Sequence, residues 1–403
     1  MITFRPTTED DLVDFVREAI AAGRKLRVSG QGSKTGWGRP ATADQEVSVA
    51  ALSGIRDYEP AELVLTAAAG TPMAVIEQVL ADKQQQLSFE PGDWAPLWGG
   101  TPESGTIGGA IACNLSGPRR FQAGAARDHF LGFRGVNGRG EIYKGGGPVV
   151  KNVTGYDLPK LLAGSFGTLS ILTEVTVKVL PRAEKQRTIL LFGETPMEAN
   201  RSMIAAIGST YDISGACHLP VGLTQSSQVD FIARAGTSVT ALRIEGSGPS
   251  VAHRCAALRQ MFTCETEELH SMRSVVFWNE IRDVAPLRAP LDRILWRLSV
   301  PPAQGATVVA ALSPDWGADW FMDWGGGLIW LALPAATSIE QLTKIRDLAA
   351  ATGGHATLLR APDAVRQSLP VIAPAVLDGL MQRVKQAFDP AGIFNTGRLV
   401  VGW

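Results

Sequence analysis

Cysteine is scarce in this 403-residue chain, and the four present (Cys113, Cys217, Cys255, Cys264) form no Cys-x-x-Cys pair. That scatter argues against a zinc site or an iron–sulfur cluster held by the chain itself, and it suits a reducing compartment. Charge of one sign is also lacking: 38 Lys and Arg stand against 39 Asp and Glu, a formal net charge of −1. Such a balance gives no electrostatic reason to expect nucleic acid or an anionic membrane surface, and it leaves association with other proteins open. No uninterrupted apolar run reaches membrane-spanning length, and Met1-Ile2-Thr3-Phe4-Arg5-Pro6 lacks the basic and apolar parts of a secretory leader. A cytoplasmic chain is expected. The five histidines, at 129, 218, 253, 270 and 355, are isolated from one another, so no metal-binding pair is expected. A Gly-Lys-Ser/Thr triplet is absent as well, which excludes a P-loop.

Glycine, by contrast, is abundant at 43 residues. A glycine-studded stretch from Glu103 to Thr173 opens with Ser104-Gly105-Thr106-Ile107-Gly108-Gly109-Ala110 and passes through Asn114-Leu115-Ser116-Gly117. It continues through Lys151-Asn152-Val153-Thr154-Gly155-Tyr156-Asp157 and closes on Gly164-Ser165-Phe166-Gly167-Thr168-Leu169-Ser170-Ile171. Glycine lets a ligand approach the backbone closely, and bare N–H groups suit phosphate. A second such loop, Ser29-Gly30-Gln31-Gly32-Ser33-Lys34, lies upstream. Two phosphate-type loops separated by about 75 residues suggest one long ligand gripped at several points. The first is a poor Rossmann fingerprint, because Trp37-Gly38-Arg39-Pro40 cannot continue a helix after it.

Periodicity predicts a helix from Thr8 to Gly23 and strands at Lys25–Val28, Leu63–Ala68 and Leu87–Phe89. It also predicts a short small-residue helix within Thr106–Asn114 and a hairpin about Asn137-Gly138-Arg139-Gly140. After a long strand at Thr168–Leu180, Pro181 closes the pattern and glycine thins out. Strands are then expected at Thr188–Phe192, Val229–Ala233, Ala241–Glu245, Ile294–Val300, Leu328–Leu333 and His355–Leu359. They alternate with helices at 196–207, 249–262, 303–312 and 338–351. Two strand–helix–strand rounds of this kind predict an antiparallel, ferredoxin-like sheet with helices on one face.

Taken together, Thr106-Ile107-Gly108-Gly109, the run Ala112–Arg120, Arg127-Asp128, the run Val149–Leu158 and Gly353-Gly354-His355-Ala356-Thr357 carry a resemblance. The chain resembles the vanillyl-alcohol-oxidase (PCMH-type) FAD-binding superfamily, and within it the FAD-binding E subunits of bacterial glycolate oxidases. The resemblance implies an α+β chain: a two-subdomain PCMH-type FAD-binding domain over 1–182, a ferredoxin-like cap over 183–361, and a helical segment over 362–403 packing back on the first. It implies that Ser29, Gly30, Gln31, Gly32, Ser33 and Lys34 wrap the FAD pyrophosphate. Gly105, Thr106, Gly108 and Gly109 would meet it from the other side, with Asn114, Ser116 and Gly117 toward the isoalloxazine. Gly167, Thr168, Leu169 and Ile171 would serve the adenosine end. Lys34 adds countercharge; Arg119 and Arg120 are either further countercharge or solvated surface. With Gln31 and Ser33 in the first loop and no His there, the FAD is expected to bind without a covalent link.

Oxidising a 2-hydroxy acid also needs a base for the hydroxyl proton and a cation for the carboxylate. Related catalytic chains carry a His-x-Gly-Asp-Gly-Asn metal segment; here the comparable place reads Gly353-Gly354-His355-Ala356-Thr357-Leu358-Leu359-Arg360. His355 and Arg360 are the candidate base and carboxylate clamp, set against a plain strand histidine with a polar partner. At Asn395-Thr396-Gly397-Arg398 the chain departs from the family's Asn-Pro-Gly-Lys/Arg, and no site role is assigned there. The resemblance implies a catalytic flavoprotein and an iron–sulfur subunit as partners, glycolate or a similar acid as substrate, and a place at the inner face of the membrane through those partners. An autonomous FAD-dependent dehydrogenase acting on glycolate or D-lactate, and a structural subunit with an idle flavin fold, are the alternatives.

Overall fold

The computed structural model describes residues 3–147, 155–312, 314–369, 371 and 378–400. The motif residues Val149 to Thr154 lie outside these. Contacts divide the chain into two compact units. The first joins residues 1–116, 124–182 and 366–403; the second joins 117–123 to 183–365.

In the first unit, the helix Glu9–Ala21 begins at Thr8, whose side chain accepts the Asp11 N–H while Asp11 reaches back to the Thr8 backbone. Acidic residues fill its first turn, and Leu12, Val13, Val16 and Ala19 form its buried face. Strands Leu26–Ser29 and Thr3–Phe4 flank Gln45–Ser48 in a small parallel sheet. A five-stranded antiparallel sheet runs in the order Ile55–Glu59, Val64–Ala68, Ser170–Lys178, Phe130–Asn137, Ile142–Gly146. One apolar core links both sheets to the helices and to Ile393 and Phe394 from the far end of the sequence. Leu87–Phe89 is not a strand; the pairing there is Gln85–Gln86 with Leu180–Pro181.

Residues 378–400 complete this unit. Phe394 bridges to Leu26, and the Asn395 side chain accepts the Val28 N–H at 2.9 Å while donating to the Phe166 carbonyl at 2.7 Å. Lys385, in the helix Asp378–Phe388, is paired with Asp389, which also accepts the N–H groups of Ile393 and Phe394. These bonds satisfy polar groups that the packing has removed from water.

The second unit holds one antiparallel sheet of eight strands. Its order is Thr266–His270, Lys185–Phe192, Val239–Gly246, Ile213–Leu219, Asp319–Asp323, Leu328–Leu333, Ile294–Ser299, His355–Arg360. Each set of four follows the path strand–helix–strand–strand–helix–strand, with spatial order 4-1-3-2. The ferredoxin-like motif is thus present twice. The two copies join edge to edge through the pairing of His218 with Met322. Val229–Ala233, expected as a strand, contains the one-turn helix Asp230–Ala233, since a short apolar run has no decisive period. Ile213–Leu219 was not foreseen: all seven residues are buried, so the alternation that reveals a half-buried strand is missing.

Candidate functional site

The glycine loops meet in a half-open cavity within the first unit. One wall is Val28 to Thr35, the loop that follows strand Leu26–Ser29. Opposite stands the start of the helix Ile107–Ala112, where the Thr106 hydroxyl accepts the Gly109 N–H at 3.2 Å. Gly167, Ser170 and Ile171 form a third wall. Two of the glycines are required by protein neighbours. A Cβ on Gly108 would sit 2.7 Å from the Ala69 Cβ and 2.8 Å from its carbonyl oxygen, and one on Gly30 would collide with the Thr106 side chain. The loops therefore approach each other as closely as they can approach a ligand.

Lys34 is only 8% exposed, yet its Nζ donates to no carboxylate among the described residues; it donates to the Ser33 hydroxyl at 2.8 Å. Burial is the main force lowering its pKa from the ordinary lysine value; Cys113 and the Asp93 carboxylate oppose it, and Arg398 adds a smaller downward push. A buried ammonium with no carboxylate in hydrogen-bonding contact is costly, and an anionic ligand in this cavity would relieve that cost. Arg398 lines the same cavity, donating to the carbonyls of Lys34 (2.9 Å) and Trp37 (3.3 Å) with its guanidinium over the Phe166 ring. Sequence reasoning passed over Arg398 because Thr396 breaks the family pattern; its place emerges only when the tail returns beside strand Leu26–Ser29. Cys113 also lines the cavity, a buried thiol whose pKa burial raises.

Of the seventeen residues expected at the cofactor, Ser29 to Lys34, Thr106, Gly108, Gly109, Gly167 and Ile171 line this cavity. Gly105 stands beside it, where a Cβ would lie 3.9 Å from the Lys34 Nζ. The others have structural roles here. Asn114, at φ +49°, accepts the Arg127 N–H, and Ser116 accepts the Ala126 N–H. Thr168 offers its carbonyl to Lys385, and Leu169 is in the core. Gly117 belongs to the second unit, where its carbonyl accepts the Trp324 indole N–H. Arg119 and Arg120 also belong there, and neither is solvated surface: Arg119 is buried against Glu245 and Arg120 lies over Trp324.

The candidate pair His355 and Arg360 is not assembled. They occupy opposite ends of one six-residue strand, about 16 Å apart at the usual rise per residue. Arg360 donates to the carbonyls of Arg293 and Arg288 (3.0 and 2.9 Å) and also to those of Leu287 and Pro290. Its guanidinium closes a loop and is not offered to a substrate carboxylate. His355 has different neighbours: although it is exposed at the start of the strand, partial desolvation, then Arg297 and Arg120, lower its pKa from the ordinary histidine value. Among the described residues no group of His, Cys, Asp and Glu is arranged to hold a metal ion, and no helix is long and apolar enough to cross a membrane.

A cavity walled by glycine loops, a capped helix start and a buried lysine suits an anionic, phosphate-bearing ligand. Residues 2–146 match the family model for an FAD-binding domain. Glycolate oxidase subunit GlcE of Escherichia coli (strain K12) is 36% identical over 389 residues, covering 96% of each chain. Glycolate oxidase subunit GlcD of Bacillus subtilis (strain 168) is 36% identical over 152 residues, 36% of this chain and 31% of that one. Among solved structures, 4-ethylphenol oxidase from Gulosibacter chungangensis superposes with a TM-score of 0.73 at 14% identity, covering 99% of this chain and 89% of that one. The chain belongs to the FAD-linked oxidoreductase family that includes glycolate oxidase subunit GlcE, and FAD is its cofactor.

Proposed function

We propose that this chain is the FAD-holding subunit of an oxidase complex acting on glycolate or a similar 2-hydroxy acid. The observation that carries this reading is the cavity with Lys34 buried, and in contact with no carboxylate, beside helix-start and loop N–H groups. The loop Ser29 to Lys34 holds the FAD pyrophosphate, with Lys34 as its countercharge and Thr106 to Gly109 closing from the other side. Gly167 and Ile171 line the remaining length. The FAD is held without a covalent bond: the first loop has neither His nor Cys, and Cys113, which lines the cavity, is a buried thiol with a raised pKa. When bound, FAD supplies the acceptor for a hydride from the carbon that carries the hydroxyl.

The similarity to chains named as subunits E and D of glycolate oxidase supports assembly with a catalytic flavoprotein. An iron–sulfur subunit belongs to the same proposal, because an onward electron path is needed and the four cysteines here are scattered. The complex would place the chain in the cytoplasm, at the membrane only through its partners.

The lowered pKa of His355, on the same sheet face as Arg297, favours a second reading, an autonomous dehydrogenase in which it takes the hydroxyl proton. Adding glycolate or D-lactate anaerobically to the purified chain separates the two. The subunit reading expects a yellow protein whose 450 nm band, a wavelength characteristic of oxidised flavin, persists until partner subunits are supplied. Rapid bleaching of the chain alone would overturn it in favour of the second reading. A colourless chain that cannot be reconstituted with FAD would remove both.

A further inference from the structure

Two arginines of the second unit share one indole. The Arg297 guanidinium lies 5.0 Å from the centre of the Trp324 ring, and that of Arg120 lies 4.6 Å from it. The indole is fixed: its Nε1 donates to the Gly117 carbonyl at 3.0 Å, and the Trp324 backbone N–H donates to Asp323 Oδ1 at 2.7 Å. Trp324 itself has φ +54°, a conformation unfavourable for a bulky residue, and Gly325 and Gly326 continue the left-handed turn. The Asn200 amide clamps that turn through the carbonyls of Gly325 and Pro302. Strain held so firmly serves to aim a side chain.

Arg297 is the unusual member of this group. Its Nε is sealed from solvent without an acceptor, and among the described residues none takes a hydrogen bond from its guanidinium. Burial and the neighbouring Arg120 lower its pKa to about 10, with Asp323 opposing them; it remains a cation at neutral pH. On the adjoining strand Thr357 is its register partner, and His355 pairs with Ser299 two residues along. His355 and Arg297 are therefore diagonal neighbours on one sheet face, a spacing long side chains bridge.

We infer that Arg297, with Arg120 beside it on Trp324, is the anchor for the carboxylate of a small hydroxy or keto acid in the second unit. The guanidinium edge offers the paired N–H donors that match a carboxylate, while its face is held by the indole. The choice of an organic acid over other anions rests on the reading proposed above; the unpaired cation does not. An acid seated there has its neighbouring hydroxyl on the sheet face that also carries His355.

Titration calorimetry of the FAD-loaded chain with oxalate, an acid that cannot be dehydrogenated, tests this. The expected result is saturable binding, weakened at least tenfold in Arg297→Met and less in Arg297→Lys, with Arg120→Met intermediate. Inorganic phosphate at equal ionic strength should compete poorly. A melting curve adds a readout that a purely structural arginine would not give: Arg297→Met should melt no lower than the parent, and oxalate should raise the melting temperature of the parent alone. Equal oxalate affinity in parent and Arg297→Met, or no binding by a yellow parent, overturns the inference. Phosphate binding as tight as oxalate would overturn its assignment to carboxylates. A colourless parent that still binds oxalate through Arg297 would instead sink the flavin reading and leave this one standing.

Discussion

At the level of single residues, glycine and lysine in the cavity answer different needs, and substitution separates them. Gly108→Ala places a methyl against Ala69 backbone and side chain, so it should cost about 1–3 kcal/mol of stability and strip the flavin, as read by thermal melting and the 450 nm to 280 nm absorbance ratio. Lys34→Met removes a buried charge in contact with no carboxylate and should leave the fold as stable or more so while weakening FAD retention on dialysis at least tenfold. If Lys34→Met keeps its flavin, the countercharge role fails. The glycine-rich pattern was legible because phosphate loops and close packing demand the same residue. The sequence could not distinguish a glycine facing a nucleotide from one facing Ala69, since both readings need only a missing Cβ. Arg297 left no signal at all: a single arginine in an apolar strand looks like any cross-strand charge until the neighbours on its face are known.

Individual strands show how burial sets pH dependence. His218, fully buried in the strand Ile213–Leu219, bonds through Nδ1 to Thr240 at 3.0 Å, and desolvation holds its pKa down to about 4. The unfolded chain binds a proton near the ordinary histidine pKa and the folded chain does not, so stability falls as pH drops from about 6.5 toward 4. His218→Gln should flatten that limb of a urea-midpoint profile by about one proton's slope, roughly 1.4 kcal/mol per pH unit; an unchanged slope would count against the burial argument. The strand ending in Arg360 gives a second test. Since Arg360 ties down carbonyls of residues 287–293, Arg360→Met should lower stability by about 3 kcal/mol, while the remaining folded protein keeps its oxalate affinity. Loss of that affinity with normal melting would restore Arg360 as a substrate clamp. Helices with capping boxes, such as Pro196–Ile207 and Ile339–Ala351, were readable because start signal, period and burial agree. Strands such as Asp319–Asp323 and Thr266–His270 were not, because five residues of mixed polarity carry too little period.

For the molecule as a whole, the order of contacts differs from the order of the sequence. The first unit is built from three stretches of chain; the tail lines its cavity with Arg398 and ties Asn395 to Val28. Removing residues 378–403 should yield a flavin-free, poorly soluble protein; a truncated chain that stays yellow and monodisperse would show that the tail is dispensable. The tail also bears on how the protein is made. Val28 must wait for its partner Asn395, which lies 367 residues further along, and at ribosomal speed that interval is about 20–70 s. Throughout it the strand before the first glycine loop lacks its final neighbour, and the entire doubled sheet emerges in between. If the cavity holds the cofactor, its capture is expected only after the tail is made, so the yellow fraction of a preparation should report completed chains rather than total translation.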